Sequence, residues 1–382
     1  MATTRKTAGR GEQSRRIREI PSIPESLRRQ LEALDIVRAD QLVALARRPD
    51  IREELARHLG TTEAAVSAAE TAAATGATAA IVRAPAVSPS HALGALKPPP
   101  SFRAMALSLP LASSARAVPK LPKSVNLVAK MPPIRFQGSR GTCVAFCLTA
   151  IHEYRDRRRR PDYSERHLYY EAKSVDGHPA ACGTTQAAAA DELASKGQCT
   201  EHTWAYNPTA TCNDHGGVPA GATAEATRHT IALTALNPQD VVAIKTALAS
   251  GRPAGISIPV FNSWYESPAT ERTGRITLPI GGEKEAGGHC MCVVGYQDDT
   301  RATVTPTPGG GFFILRNSWS TSWGANCAFG AGYGTIPYAY IAGHNWECYT
   351  LPEGAKPKRK TARRKAVKRK AAKKTRTRAR RR

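Results

Sequence analysis

The chain has 382 residues, 41% of them apolar, which is enough for more than one folded unit, and a formal net charge of +24. Met1 to Arg10 carries charge with no apolar segment behind it, which speaks against a secretory signal peptide or membrane anchor and for a soluble, cytoplasmic chain. The apolar stretch Met105–Ala117 lies too far along to target the chain and reads as a linker or as a strap packed on a neighbouring domain.

In chain order, residues 1–21 are basic and polar and are expected to be disordered. Residues 22–75 read as a small all-α unit: Leu27, Leu31 and Leu34 recur at i, i+4 and i+7, followed by Leu42, Leu45, Ile51, Leu55 and Leu59. Asp50 to Glu53, after Pro49, has the spacing of a capping box that starts a helix. A bundle packing on itself or on its neighbour accounts for the pattern, and the short helices also resemble the helix-hairpin-helix class of interaction domains. Residues 76–119, rich in Ala, Pro and Ser and containing Lys97-Pro-Pro-Pro100, read as an extended linker.

The next stretch, 120–352, carries the chemistry. Cys143 follows a loop with Gly138 and Gly141 and precedes Val144, Ala145, Phe146, Leu148 and Ile151, the opening of a buried helix. A thiol at a helix N-terminus is pushed towards thiolate by the free backbone N–H groups, and a nearby imidazolium adds to that effect. His289 opens the apolar run Cys290–Val294, bounded by glycines and expected to be a buried strand. Asn317 follows a second apolar run, Phe312–Leu315. An amide there can accept from one ring nitrogen of His289 and leave the other facing the sulfur, which gives a nucleophile, a base and an orienting group.

Cysteine and histidine are 146 residues apart (289 less 143), within the ~130–150 of papain-like enzymes. Gln137-Gly-Ser-x-Gly-x-Cys143-x-Ala-Phe, Gly288-His289 before Gly295-Tyr296, and Asn317-Ser-Trp319 with Thr321-x-Trp323-Gly324 together resemble the papain and cathepsin family of cysteine peptidases over about residues 120–350. Leu121-Pro-Lys-Ser-Val is similar to the opening of the mature enzyme, and Trp204-x-Tyr206 to an aromatic segment of its left-hand domain. The resemblance implies an α+β, two-lobed fold, with a helical left lobe headed by the Cys143 helix and a right lobe of antiparallel strands bearing His289 and Asn317. It assigns Cys143 as nucleophile, His289 as general base and then acid, and Asn317 as the residue orienting His289. Gln137 would donate to the oxyanion, and Trp319 would cover the His289–Asn317 hydrogen bond. The implied activity is peptide hydrolysis through a thioester on Cys143, on a protein or peptide substrate, with no cofactor and no metal. An N-terminal segment often fills the cleft of such enzymes. The sequence has no match to the family's propeptide motif, so self-inhibition by residues 22–119 is an expectation from position alone.

The departures are Val144 where the family has tryptophan, Arg140 where it has a loop cysteine, and Gly183-Thr184 in place of a glycine pair lining the cleft. They bear on substrate preference and spare the catalytic groups. Residues 298–311 read as a lengthened surface loop. Beyond Cys143 there are eight cysteines; by resemblance, Cys182 and Cys212 lie near positions that are disulfide-bonded in secreted relatives, with no pairing fixed by the sequence. Cys147, one helical turn past Cys143, reads as core packing. A metal set at His289-Cys290-x-Cys292 is disfavoured, because both thiols face away from the histidine on a strand and no C-x-x-C pair completes a zinc site.

The last stretch, 353–382, is a Lys/Arg-rich tail expected to be disordered. From Lys356 to Arg382 it holds 17 basic residues and no acid, leaving +7 for the rest of the chain (24 less 17). Lys358, Arg359, Lys360, Arg363, Arg364, Lys365, Lys368, Arg369, Lys370, Lys373 and Lys374 are the candidate nucleic-acid contacts. A polycation without aromatics binds phosphate backbones through counterion release, without reading sequence. The texture resembles the tails of linker-histone-like proteins and raises association with the nucleoid. Other polyanions and an anionic membrane surface remain open. Two alternatives stand beside an active peptidase: a silent papain-like scaffold that binds nucleic acid, and a thiol acyltransferase or ligase. The presence of Gln137, Cys143, His289 and Asn317 together favours the enzyme.

Overall fold

The structure is a computed structural model, described here for residues 15–34, 36–46, 49–75, 91–109, 120–265, 267–279, 283–300 and 307–354. The basic tail lies outside the described residues. Among the described residues two large apolar cores stand out, one under the N-terminal helices and one between the helices and sheet of the larger domain, with a small third cluster around Trp204.

The N-terminal unit consists of α1 (Glu25–Ala33), α2 (Ala39–Ala46), α3 (Pro49–His58) and α4 (Glu63–Thr75). Leu27, Leu31, Leu42, Leu55 and Leu59 enter its core as their spacing predicts. Its boundary falls earlier than the composition implied. Ile17, Ile20 and Ile23 are also buried there, and the amide of Ile17 donates to Val37 O at 2.9 Å, so residues 15–21 are ordered by apolar contacts that a basic flanking sequence conceals.

Residues 91–109 are likewise not a bare linker. Residues 91–97 run extended across the face of the larger domain, and α5 (Pro100–Leu107) follows, started by Pro100 in its first turn.

The larger domain begins with β1 (Ser124–Asn126). Its helical lobe contains α6 (Cys143–Asp156), α7 (Glu165–Val175) and α8 (Gln186–Ser195), then the short α9 (Ala222–Ala226). Ser164 Oγ accepts from His167 N at 3.1 Å and Thr185 Oγ1 from Ala188 N at 3.2 Å, which caps α7 and α8. The second lobe is built from β2 (Thr234–Ala235), α10 (Val241–Ala249), β3 (Ala254–Phe261), α11 (Asn262–Tyr265), α12 (Pro268–Thr273), β4 (Glu285–Asp298), β5 (Gly311–Arg316), β6 (Tyr333–Pro337), α13 (Tyr338–His344) and β7 (Glu347–Thr350). The strands form one antiparallel sheet in the order β2-β7-β3-β4-β5-β6, with β1 also on β4. The fold is therefore α+β and two-lobed.

β4 is fully buried from Gly288 to Tyr296, which explains its unbroken apolar run. α6 packs its N-terminal half against β3 and β4, so the first residue of the helix meets the start of the histidine-bearing strand. The N-terminal unit sits on this lobe through α2, which packs against α11 and α12. Among the described residues no helix is long and apolar enough to cross a membrane.

Candidate active site

Cys143 is the first residue of α6, His289 lies on β4, and Asn317 directly follows β5. All three are buried. His289 Nε2 and Asn317 Oδ1 are 2.8 Å apart; the same oxygen accepts from Ser318 N at 2.8 Å, which fixes the amide. With Nε2 held, the remaining ring nitrogen is Nδ1, which has no hydrogen-bond partner among the described residues. Trp319 stacks on the imidazole, centroids 4.4 Å apart, so the ring cannot swing out.

Gln137 is also buried and tied down at both ends. Its Oε1 accepts from Ser318 Oγ at 2.6 Å, and its carbonyl accepts from Tyr206 Oη at 2.7 Å. Tyr206 Oη also hydrogen-bonds Thr142 Oγ1 at 2.6 Å, beside the nucleophile. Tyr206 is thus a positioning residue whose aromatic motif was visible in the sequence and whose partners were not. Arg140 is fully buried and donates to Asn207 O and Asp214 O, bracing the loop that Cys182 and Cys212 close by a disulfide. In this chain a guanidinium and a disulfide together support the loop ahead of Cys143.

The cleft is occupied by the chain itself. Gly94 N and Ala95 N both donate to Gly288 O, at 2.9 and 3.0 Å. Thr184 N donates to Gly94 O at 3.0 Å, and Leu96 N to Thr184 O at 2.9 Å. Residues 94–96 therefore add a short strand to the site through Gly183-Thr184 on one side and Gly288 on the other, pairing as a bound peptide pairs with an open backbone edge. Gln137 Nε2 donates to Ala92 O at 3.0 Å as well as to Arg140 O at 2.8 Å. His91 also stacks on Trp319, with centroids 4.5 Å apart, and its Nε2 lies 3.1 Å from a Glu271 carboxylate oxygen. Tyr265 Oη donates to His91 O.

The approach is close enough to require glycine. A Cβ on Gly94 would overlap the backbone of Gly141, and one on Gly183 would overlap the backbone of Gly94. The Cys143 sulfur accepts from Cys290 N at 3.4 Å and is also faced by the Gly94 N–H.

Electrostatics follow from the cover. Burial raises the Cys143 thiol to about 12, against the lowering effect of the N–H groups of Cys290 and Gly94. Burial also lowers His289 to about 4, partly offset by Asn317. Both shifts favour the neutral thiol and imidazole over a thiolate–imidazolium pair in this covered arrangement. Cys147 lies against the thiols of Cys290 and Cys292 on the side of the strand turned to α6. Among the described residues no group of three or more His, Cys, Asp or Glu is placed to hold a metal ion.

The profile of the family described as papain family cysteine protease matches residues 121–340. An uncharacterized peptidase C1-like protein of Acanthamoeba polyphaga mimivirus is 26% identical over 219 residues, covering 55% of this chain and 65% of its own length. Cysteine proteinase 3 of Entamoeba histolytica is 27% identical over 213 residues, 54% of this chain and 62% of its own. The chain thus spans less than two thirds of both relatives. Xylellain, a cysteine protease from Xylella fastidiosa, is similar in fold, with a TM-score of 0.55 at 22% identity over 69% of this chain and 96% of that one.

Proposed function

The chain belongs to the papain family of cysteine proteases, and from that premise we propose that it is an active cysteine peptidase held shut by its own residues 91–97. The observation that carries the reading is the seat of this strap: its Ala92 carbonyl rests on the Gln137 amide while its backbone passes the Cys143 sulfur.

With the strap withdrawn, water re-enters and the desolvation that keeps both groups neutral is relieved. His289 Nδ1 then takes the Cys143 proton, and the sulfur attacks a substrate carbonyl carbon. The resulting oxyanion is met by Gln137 Nε2 and the Cys143 backbone N–H, donors aimed at charge that exists only at that stage. Collapse expels the amine, which leaves with the proton from His289, and a thioester remains on Cys143. Water attacks the thioester, His289 accepts its proton, and the carboxylic acid departs as the thiol is restored. Asn317 keeps the His289 ring in register throughout, and Trp319 keeps water from their hydrogen bond.

The strap presents the Gly94 N–H to the sulfur while the segment fills the cleft. Residues 356–382 we read as a tether to nucleic acid or another polyanion, on the strength of 17 basic residues without one acid. That reading puts the enzyme on a polyanionic surface.

The test is hydrolysis of an unstructured protein together with intact-mass labelling by an epoxysuccinyl probe, under reducing conditions, on chains with and without residues 1–119. One adduct on Cys143, lost in His289→Ala, and cleavage lost in Cys143→Ala are expected. Labelling that survives His289→Ala at full rate would overturn the assigned pair. Absence of both labelling and cleavage in the shortened chain would favour a silent scaffold.

A further inference from the structure

The N-terminal helical unit and the sheet meet across a crevice that the peptidase chemistry does not use. It encloses about 600 Å³, the size of a small-molecule site. Arg16, Arg18 and Arg38 line it from the helical unit, and Arg275, Phe312 and Phe329 from the sheet side. Two carboxylates, Glu32 and Asp299, also reach it. Asp299 is already engaged, accepting from Thr307 Oγ1 at 3.0 Å and from the Thr307 amide. Arg38 and Arg275 have interactions of their own, which leaves Arg16 and Arg18 as the cations open to a ligand. Arg16 and Arg18 form no side-chain ion pair among the described residues. The two phenyl rings lie 6.0 Å apart, tilted and half-buried.

A guanidinium fork matches the oxygens of phosphate, and a phosphate monoester carries about −1.5 to −2 near neutrality, close to the summed charge of Arg16 and Arg18. The phenylalanines offer an apolar face beside it. We propose that this crevice is a binding site for a small organic phosphate, its phosphate held by Arg16 and Arg18 and its planar group against Phe312 and Phe329. Its floor is joined to the strap. Asn326, which lines the crevice, donates its amide to Arg272 O at 2.8 Å, and Gly324 N donates to Glu271 O at 2.7 Å. Glu271 is the residue that holds His91. A ligand here therefore binds against the same α12 segment that anchors the strap.

The probe is phenyl phosphate, titrated into the full chain at fixed ionic strength and followed by hydrogen exchange of individual peptides. Slowed exchange is expected in peptides covering 15–20 and 324–336. In Arg16→Ala/Arg18→Ala the midpoint should rise about tenfold or more, as lost charge-assisted hydrogen bonds dictate. Both side chains are exposed, so the thermal midpoint should hold and a folding defect is separable. Phe329→Ala should weaken phenyl phosphate and leave inorganic phosphate unchanged. No slowing in the wild-type chain at millimolar probe would overturn the site. Equal slowing in the double variant would do so too, as would slowing confined to 356–382, which would make the tail the anion binder. The readout is independent of catalysis and should be the same in Cys143→Ala, so a failure of this site and a failure of the peptidase reading are told apart.

Discussion

Gly94→Ala isolates the strap with a single carbon atom. Gly94 is buried, and its backbone lies outside the left-handed region, so only space is at issue. The added Cβ would overlap the O, C and Cα of Gly141, backbone atoms two residues ahead of the nucleophile and held by the Cys143 helix, so the strap has to lift. What it forfeits are the four backbone hydrogen bonds through Gly288 and Thr184. At roughly 0.5–1.5 kcal/mol net each, these sum to about 2–6 kcal/mol. With tenfold per 1.4 kcal/mol, the lower bound corresponds to an open fraction about 30-fold larger. The assay is the second-order rate of Cys143 labelling by the epoxysuccinyl probe, with kcat/KM on a fluorogenic peptide measured alongside and intact mass showing that the chain is uncut. Both should rise by about 30-fold or more until the open state dominates. Hydrogen exchange at 94–96 reports whether the strap has left. Rates unchanged with those amides released would refute the claim that the strap limits access. Amides still protected would refute the steric argument.

The pH dependence of alkylation should differ between the two forms. A thiol at about 12 beside an imidazole at about 4 gains thiolate tenfold per pH unit up to about 12, so alkylation of the wild-type chain should climb through the alkaline range with no neutral plateau, whereas Gly94→Ala should level off at lower pH; identical profiles would sink the desolvation argument. Cys212→Ser opens a disulfide spanning 30 residues, and the chain-entropy estimate puts its cost at about 3–4 kcal/mol, read as a lower denaturant midpoint at unchanged slope. Mass spectrometry of rapidly alkylated cells would show whether the Cys182–Cys212 pair is oxidised where the chain resides. Deleting 356–382 should remove most DNA affinity and flatten its dependence on salt while labelling of Cys143 persists; an unchanged slope would end the tether reading.

The site was legible where chemistry demands particular side chains. A thiol at a helix start, an imidazole opening a buried strand and an amide just past the next strand announce themselves by residue type and by the apolar runs beside them. The structure places them on α6, on β4 and after β5, with His289 Nε2 2.8 Å from Asn317 Oδ1. The N-terminal helices were legible for the same reason, because Leu27, Leu31, Leu42, Leu55 and Leu59 mark one face. Ile17, Ile20 and Ile23 were not, since three isoleucines among arginines show no helical period and are recruited by packing alone.

The strap was hidden for a deeper reason. A segment that lies in a cleft by pairing backbone to backbone needs little from its side chains except that they be small. Ala92, Gly94 and Ala95 meet that requirement and look like linker. The specificity sits in glycines at either side, Gly141, Gly183 and Gly288, where a Cβ would strike the opposing backbone. The two residues with side-chain signatures, His91 and Leu93, are recognised only by partners far along the chain: Trp319 and Glu271 for the imidazole, and Gly287 beside the leucine. On the proposed reading, in which the main-chain groups of Thr184 and Gly288 that bind the strap are the hydrogen-bonding edges of the substrate cleft, strap and substrate would compete for the same donors and acceptors. Inhibition in such a site is set by how well His91, Tyr265 and Glu271 hold the strap's entrance, and substitutions there should change the level of activity without changing which peptide is cut.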